Sequence, residues 1–535
     1  MAETPPRGEA MLPPLIRERW GIIAVCCLAT SAFELQPPLW LFHYPPPSAF
    51  ELGWVEVNLL VSLTTLPALG FVLLGGVLGD LYGRRRVLLI GLGGQVVANL
   101  LLLITPALPW FLTTRLAAGA FGALVLPLSL ALLTLAFADD ARARAAAIAI
   151  YIAITTAAYY LALLLVPIIL AQAGFRAVIV APTLVTLAAI PLVRRVLAES
   201  RCTDDRHFDA VGHTAWALAL LSVTYGVKLW TVAGQYVSVV LGASLVGCLL
   251  GMGVLLWWDR RGRDSVLQQN AMPRGRLAAL IAYGVVLQFG IVGFATQVRG
   301  ALIGGYGFGP VTGTAALAPL LLGMLTMVVV GTRRLEGLRV RPTLAIGLAV
   351  IGLVCALSAL THAAGTYPWL AVLLFVFGAA MIACNTAWTF AFLHAIDERM
   401  IGVRTGINSA MLQLGAVAGG TVASALLATL GLAEAARLLR ERGISPAELD
   451  AVLASLNALL SAATTDPTAL DSAAAQQLIA AYRLVYVASY ERVLLVIAAV
   501  CFVGSAAAVG GGRTTARLGL RARAESEELT LAGER

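Results

Sequence analysis

Gly76-Val77-Leu78-Gly79-Asp80-Leu81-Tyr82-Gly83-Arg84-Arg85-Arg86 is the stretch that decides the fold. It joins two apolar runs, 54–77 and 86–105, and concentrates charge between them. A bilayer core of about 30 Å takes about 20 helical residues, and each run has that length. Gly76 and Gly83 permit a close helix approach and a tight turn. Asp80 can face a helix N-terminus or an Arg across the same surface. Arg84, Arg85 and Arg86 anchor such a loop against anionic lipid. The stretch therefore reads as a charged turn between two membrane-spanning helices.

The same alternation of apolar run and polar turn continues along the chain. Approximate spans fall at 20–42, 54–77, 86–105, 109–137, 144–171, 174–193, 213–232, 236–258, 277–299, 309–331, 341–361, 368–394, 402–430 and 491–512. The runs have helix length and lack the alternating ~10-residue pattern of a membrane barrel. Of the 535 residues, 59% are hydrophobic and 12% charged, against about 25% charged in an ordinary soluble domain. A water-soluble fold of this size would lack the polar residues to cover itself. The fold class predicted is an all-α polytopic membrane protein of about fourteen transmembrane helices. The first run, from Trp20 to Phe42, is too long for a signal-peptide core and is expected to remain as a membrane helix.

Direction follows from the Arg-bearing loops. Arg17 and Arg19 precede the first helix; Arg84 to Arg86, Arg142 and Arg144, and Arg194, Arg195, Arg201 and Arg206 follow in every second loop. Arg260, Arg261, Arg263, Arg274 and Arg276 continue the series, then Arg333, Arg334, Arg339 and Arg341, then Arg399 and Arg404. The intervening loops are short and nearly uncharged. Both termini are expected in the cytoplasm of a multi-pass protein of the plasma (inner) membrane. The net charge of +8 thus reads as a topology signal, and no aromatic-interleaved basic face points to nucleic acid.

The predicted organisation is a cytoplasmic arm (1–19), a six-helix bundle (20–195), two linker helices with flanking loops (196–276), a second six-helix bundle (277–512) and a cytoplasmic tail (513–535). Two bundles around a midplane site are a transporter layout. Residues 431–490 form an outer, polar, Ala-rich insertion. Ser445, Pro446 and Glu448 there make a capping box ahead of apolar Leu449, Val452, Leu453, Leu456 and Leu460, which predicts a surface helical hairpin.

The loop sequence quoted above resembles the GxxxDRxGRR signature of the major facilitator superfamily, with Leu81 where the family usually has Arg. Arg115, Gly119 and Gly122 within Arg115-Leu116-Ala117-Ala118-Gly119-Ala120-Phe121-Gly122-Ala123 are similar to the helix-four signature of its proton-coupled members. Thr405-Gly406-Ile407-Asn408, with Gln413, Gly415, Gly419 and Gly420, resembles the late-helix signature of the fourteen-helix drug:proton antiporter family. Gly174-Phe175-Arg176 resembles that family's GWR. In helix five, however, Ala162-Leu163-Leu164-Leu165-Val166-Pro167 stands where its exporters carry a glycine motif. The resemblance covers 20–512 and implies alternating access, with Gly76, Asp80, Gly83, Arg84 and Arg85 as an inner-loop gating motif.

Ionisable residues inside a membrane helix are functional-site candidates. Glu34 lies about 21 Å along the helix from Trp20, and Arg115 about 9 Å below the opposite boundary, so the two depths coincide. A carboxyl whose water access changes between conformations changes its proton affinity. Glu34 and Arg115 are therefore candidates for proton coupling or for binding substrate charge; the alternative is that both reach the outer interface and anchor helix ends. Lys228, near an outer helix end, is read as snorkelling. Asn58, Tyr159, Tyr160, Tyr283, Gln288, Asn385, Trp388, Asn408 and Gln413 are candidate cavity-lining residues, most of them expected in helix–helix contacts.

The predicted function is secondary active transport, with proton-coupled efflux of small amphipathic or cationic compounds ahead of uptake or proton-independent facilitation by the same fold, and both ahead of a transporter-derived sensor or a membrane enzyme. The partners expected are a small-molecule substrate, protons and the lipid bilayer, with one chain as the functional unit. No cofactor and no metal are expected: the cysteines show no ligand spacing. His43, His207, His213, His362 and His394 are scattered, and there is no P-loop, so neither an enzyme nor an ATP-driven pump is indicated.

Overall fold

A computed structural model describes residues 14–36, 65–104, 107–201, 209–230, 237–261, 274–302, 306, 308–334, 340–361, 367–394, 401–441, 487 and 489–509, and nearly all of them are helical. Ten of the described helices are long and apolar enough to cross a membrane. Four shorter apolar helices, Trp20–Glu34, Leu69–Tyr82, Val211–Ser222 and Gly242–Val254, stand at the remaining expected positions. The chain is an all-helical polytopic membrane protein.

A single turn, Pro14–Glu18, leads into α1, Trp20–Glu34. There follow α2, Thr65–Tyr82; α3, Arg84–Leu103; and α4, Leu108–Ala136. Residues Ala141–Val196 are helical with one break, Gly174 at φ 74° and ψ 178°, a conformation that glycine adopts without a steric cost. The break separates α5, Ala141–Leu170, from α6, Arg176–Val196. The Gly174-Phe175-Arg176 sequence thus marks a real junction. The linker pair is α7, Ala210–Trp230, and α8, Val237–Arg261. In the second half, α9 is Arg274–Gly300, and a turn at Pro310–Ala315 precedes α10, Ala318–Arg334. Then come α11, Val340–Thr361; α12, Tyr367–His394; α13, Ile401–Glu441; and α14, Ser489–Val509.

In the first half α1 packs along the α5–α6 hairpin, and α2 and α3 both pack on α4. In the second half α9 packs on α13, while α10 and α11 pack on α12. The halves meet where α13 lies against α2 and α4, and where α10 and α12 lie against the α5–α6 hairpin. Leu393 of α12 and Val328 of α10 join Ile148 and Ile150 in a core otherwise built from the first half. The linker helices pack on each other, and α7 lies against α2 and α13, beside the seam between the halves.

Some helix ends differ from the hydropathy reading. α2 continues to Tyr82 and α3 begins at Arg84, so Gly83 alone makes the turn. The charges of Asp80 and Arg84 are satisfied by the protein, and the helices carry them without ending. α13 runs on to Glu441, past the expected end at 430, through Ala, Leu, Glu and Arg, all strong helix formers. The first residues assigned to the outer insertion are therefore helix. The expected hairpin after Ser445 and the candidate Asn58 lie outside the described residues.

Candidate functional site: the Asp80 contact and the Glu34 cluster

At the Arg-rich end of the molecule, the turn that opened the sequence reading crosses from one half to the other. Gly83 has φ 106° and ψ 124°, a backbone conformation suited to glycine, and it reverses the chain in one residue. The reversal brings Arg84 back over Asp80: Arg84 Nε donates to Asp80 Oδ1 at 2.8 Å, and Arg84 Nη2 lies 2.7 Å from the same oxygen. Both side chains are buried. Asp80 also accepts from the Gly402 N–H on Oδ1 and from the Val403 N–H on Oδ2, each at 3.1 Å. These are first-turn donors of α13, which have no partner within their own helix, and the helix dipole favours a carboxylate there.

The approach is close because no side chain intervenes. A Cβ on Gly76 would collide with the Gly402 carbonyl, and a Cβ on Gly402 would collide with the Gly76 carbonyl and the Asp80 carboxylate. Leu81, where the superfamily signature usually has Arg, packs at the edge of the core. The stretch after α6 completes the junction. Glu199 Oε1 and Oε2 accept from the Arg85 and Arg86 N–H groups at 3.0 Å and cap α3. Arg84 N–H donates to the Ser200 carbonyl at 2.9 Å, and Arg85 Nη1 donates to the Leu197 carbonyl at 3.1 Å. Sequence reading missed Glu199, whose signal was a single carboxylate in an Arg-rich loop. Arg404, read only as a loop charge, is buried and donates from Nη1 to the Leu393 carbonyl at 2.7 Å, tying α13 to α12.

Deeper in the first half, the Phe33 ring lies against Gly122 of α4, beside the Gln95 side-chain amide of α3. Glu34 follows on α1, within electrostatic reach of Tyr151 and Tyr159 on α5. Tyr151 OH and Thr30 Oγ1 share a 2.8 Å hydrogen bond one turn below Glu34. Tyr159 and Tyr160 meet edge to face, with centroids 5.6 Å apart. Arg115 is fully buried, its guanidinium 5.9 Å from the Phe111 ring centroid. Gly122 is seven residues from Arg115, about 10 Å of helix, and among the described residues no ion pair joins Glu34 to Arg115. Gly119 is buried in α4. Gln36, Gln95 and Asn99 are also buried, and each has an amide atom without a hydrogen-bond partner among the described residues.

In the second half two candidates have their polar atoms engaged in helix–helix contacts. Tyr283 OH donates to the Leu344 carbonyl at 2.5 Å, and Trp388 Nε1 donates to the Leu280 carbonyl at 2.8 Å. Trp388 also fills the space over Gly284. Gln288 lies where Gly415 of α13 packs on α9. Asn385 and Asn408 are buried, each with a side-chain oxygen lacking a partner among the described residues, and Gln413 is partly buried. Arg299, which the sequence reading left at a helix end, lies within electrostatic reach of Tyr159. Among the described residues no group of His, Cys, Asp and Glu could hold a metal ion.

Two packed halves of membrane-length helices, with buried charged groups at their junction, make the architecture of a membrane transporter. The Major Facilitator Superfamily profile matches residues 21–420, and the chain belongs to that superfamily. It is 27% identical over 491 residues to the "Probable actinorhodin transporter" of Streptomyces coelicolor, covering 85% of this chain and 82% of that protein. It is 24% identical over 311 residues to the "Multidrug efflux pump LfrA" of Mycolicibacterium smegmatis, covering 56% of this chain and 59% of that one. In fold it is similar to the crystal structure of the human organic anion transporter MFSD10 (TETRAN), with a TM-score of 0.56 and 15% identity over 91% of this chain and 100% of that one. The superfamily consists of transporters of small molecules, not enzymes.

Proposed function

We propose that this protein exports small amphipathic or cationic compounds across the plasma membrane in exchange for protons, by alternating access, with both termini cytoplasmic and one chain as the functional unit. The observation that carries the reading is the position of Glu34, a carboxyl on α1 one turn beyond Thr30, whose hydroxyl shares a 2.8 Å hydrogen bond with Tyr151 of α5. A carboxyl there binds a proton or a cationic group, and access to it changes as the halves rock. Gly76, Asp80, Gly83, Arg84 and Arg85 form the cytoplasmic gate, closed when Asp80 holds the start of α13 and open when it lets go. Arg115, with Gly119 and Gly122 beside it on α4, sets the charge that Glu34 meets when the bundle rearranges. Tyr159 and Tyr160, with Asn385, Asn408 and Gln413, supply cavity-lining groups. The names of the relatives support transport, and that of one, a multidrug efflux pump, supports export.

The test is transport by purified protein in liposomes, with and without an imposed pH gradient, against a panel of lipophilic cations. Wild type is expected to move part of the panel only with the gradient, and Glu34→Gln to lose that dependence while expressing normally. Gradient-driven transport that survives Glu34→Gln removes the coupling role.

A second reading, uptake or proton-independent facilitation, has one observation in its favour. α5 is helical from Ala141 to Leu170, with Ala162, Leu163 and Val166 buried, where exporters of the resembling family carry glycines. Accumulation inside cells that persists when the gradient is collapsed would select it.

A further inference from the structure

Gln95 lies about 16 Å along α3 from Arg84 at the Arg-rich end, near the middle of the span. Two glycines let α3 close on α4 there: a Cβ on Gly94 would meet the Phe121 ring, and one on Gly91 would lie 3.0 Å from the Phe121 carbonyl oxygen. Gln95 is carried into the same joint. Its amide nitrogen lies 3.2 Å from where a Cβ on Gly122 of α4 would stand, and the Phe33 ring of α1 covers that same position. Three helices thus meet around one glycine. Gln95 is fully buried, and among the described residues neither its amide nitrogen nor its oxygen is hydrogen-bonded. Asn99, one helical turn farther on the same face and about 6 Å away, is buried, and its amide nitrogen likewise has no partner among the described residues. Buried hydroxyls elsewhere are satisfied within their own helix, as Thr134, Thr183 and Thr186 are by the carbonyl one turn back. Gln95 instead holds a donor and an acceptor open at a depth where an unpaired amide is costly.

We infer that Gln95, with Asn99 one turn away, is a subsite for a neutral hydrogen-bonding group of the transported molecule, a carboxamide or a ketone, held between α1, α3 and α4 under the Phe33 ring. A side-chain amide donates and accepts at once, so a carboxamide matches it with two hydrogen bonds. The groups around it, Phe33, Gly122 and Asn99, carry no charge, and an ion without a counter-charge is far costlier to bury than an amide. A site whose buried amide waits for a partner discriminates strongly against an analogue that lacks the matching group. Glu34 follows Phe33 in the chain, so the subsite and the proposed coupling carboxyl stand at one level of α1. The substrates then combine a cationic or protonated centre with a neutral polar group. The inference rests on the transport reading and adds this feature to its substrate class.

Thermal unfolding of the purified full chain in detergent tests the subsite in two ways. Gln95→Leu removes the amide with little change of volume and should raise the unfolding midpoint by about 2–4 °C, because it removes an unpaired polar group from a buried position. The matched probes are 2-naphthamide and 2-isopropenylnaphthalene, which have nearly the same shape, the second with hydrocarbon in place of the carboxamide. At equal concentration the amide should raise the wild-type midpoint by about 2 °C or more beyond the hydrocarbon, through binding to the folded state. In Gln95→Leu that difference should vanish. A lower midpoint for Gln95→Leu would mean that the amide is paired within the fold and would overturn the proposal. Equal effects of the two probes on wild type, or a difference that persists in Gln95→Leu, overturn it as well, and the wild-type comparison decides even if the variant does not fold. The measurement needs neither transport nor a pH gradient. A flat response in the liposome assay therefore counts against proton-driven export, whereas a failed carboxamide preference counts against the Gln95 subsite.

Discussion

Asp80 Oδ1 lies 3.1 Å from the backbone nitrogen of Gly402, so a carboxylate at the end of α2 caps a helix whose second residue lies 322 positions later in the chain. The bond is charge-assisted, and the class contributes about 1.5–3 kcal/mol. Asp80→Asn keeps an acceptor but removes the charge, so the arrangement with α2 and α13 together should lose about ten- to a hundredfold in population. Spin labels on the Arg-rich ends of the two helices would report the change as a longer mean distance, with slower turnover in liposomes. An unchanged distance distribution would assign Asp80 to local stability alone.

Gly76 tests the same junction by shape instead of charge. A Cβ there meets the Gly402 carbonyl, and overpacking a fitted contact costs about 1–3 kcal/mol. Gly76→Ala is expected to separate the same helix ends. The double variant Gly76→Ala/Asp80→Asn should show little more separation than either alone, because both act on one contact. Additive effects would mean that the glycine and the carboxylate hold different things.

How much of this was legible follows from particular residues. The helices were readable because length and apolarity alone identify a span, and Gly83 was readable as a tight turn. The loop sequence said that Asp80 could face a helix N-terminus or an Arg; the structure has it do both, at Gly402 and Arg84. Which helix it faces was not legible, since nothing local to residue 80 encodes residue 402. Tyr283 and Trp388 were candidates by depth alone. A helix apolar on all sides has no stripe to say which face turns inward, so the engagement of Trp388 with the Leu280 carbonyl could not be read. Arg299 was passed over because a charge at the end of an apolar run looks like a boundary. The carboxylate of Glu199 was hidden among arginines that read as a topology signal.

Glu199 carries a stability prediction. Its two oxygens cap the first turn of α3 through Arg85 and Arg86, and removing a cap costs about 0.5–2 kcal/mol. Glu199→Ala should lower the unfolding midpoint of the purified protein by roughly 2–4 °C, and Glu199→Gln, which keeps one acceptor, by less. Transport should persist at permissive temperature because the Asp80 bonds to α13 remain. A Glu199→Ala protein as stable as wild type would show that the cap is replaced by solvent.

Trp388 separates a packing role from a substrate role. Its indole N–H donates to the Leu280 carbonyl, and its ring lies over Gly284 and 5.5 Å from the Phe392 ring centroid. Trp388→Phe keeps an aromatic ring in that space and removes the donor, leaving the Leu280 carbonyl with one bond fewer. Polar contacts between membrane helices average about 0.6 kcal/mol and reach about 1.7. A small drop in thermal stability is expected, with the KM for a transported lipophilic cation unchanged within about twofold. Tyr159→Phe, at a residue proposed to line the cavity, should behave in the opposite way: stability near wild type, KM altered. If Trp388→Phe shifts KM while leaving stability untouched, the indole faces the substrate in another conformation of the cycle, and the C-terminal half contributes more to the cavity than this arrangement of helices gives it.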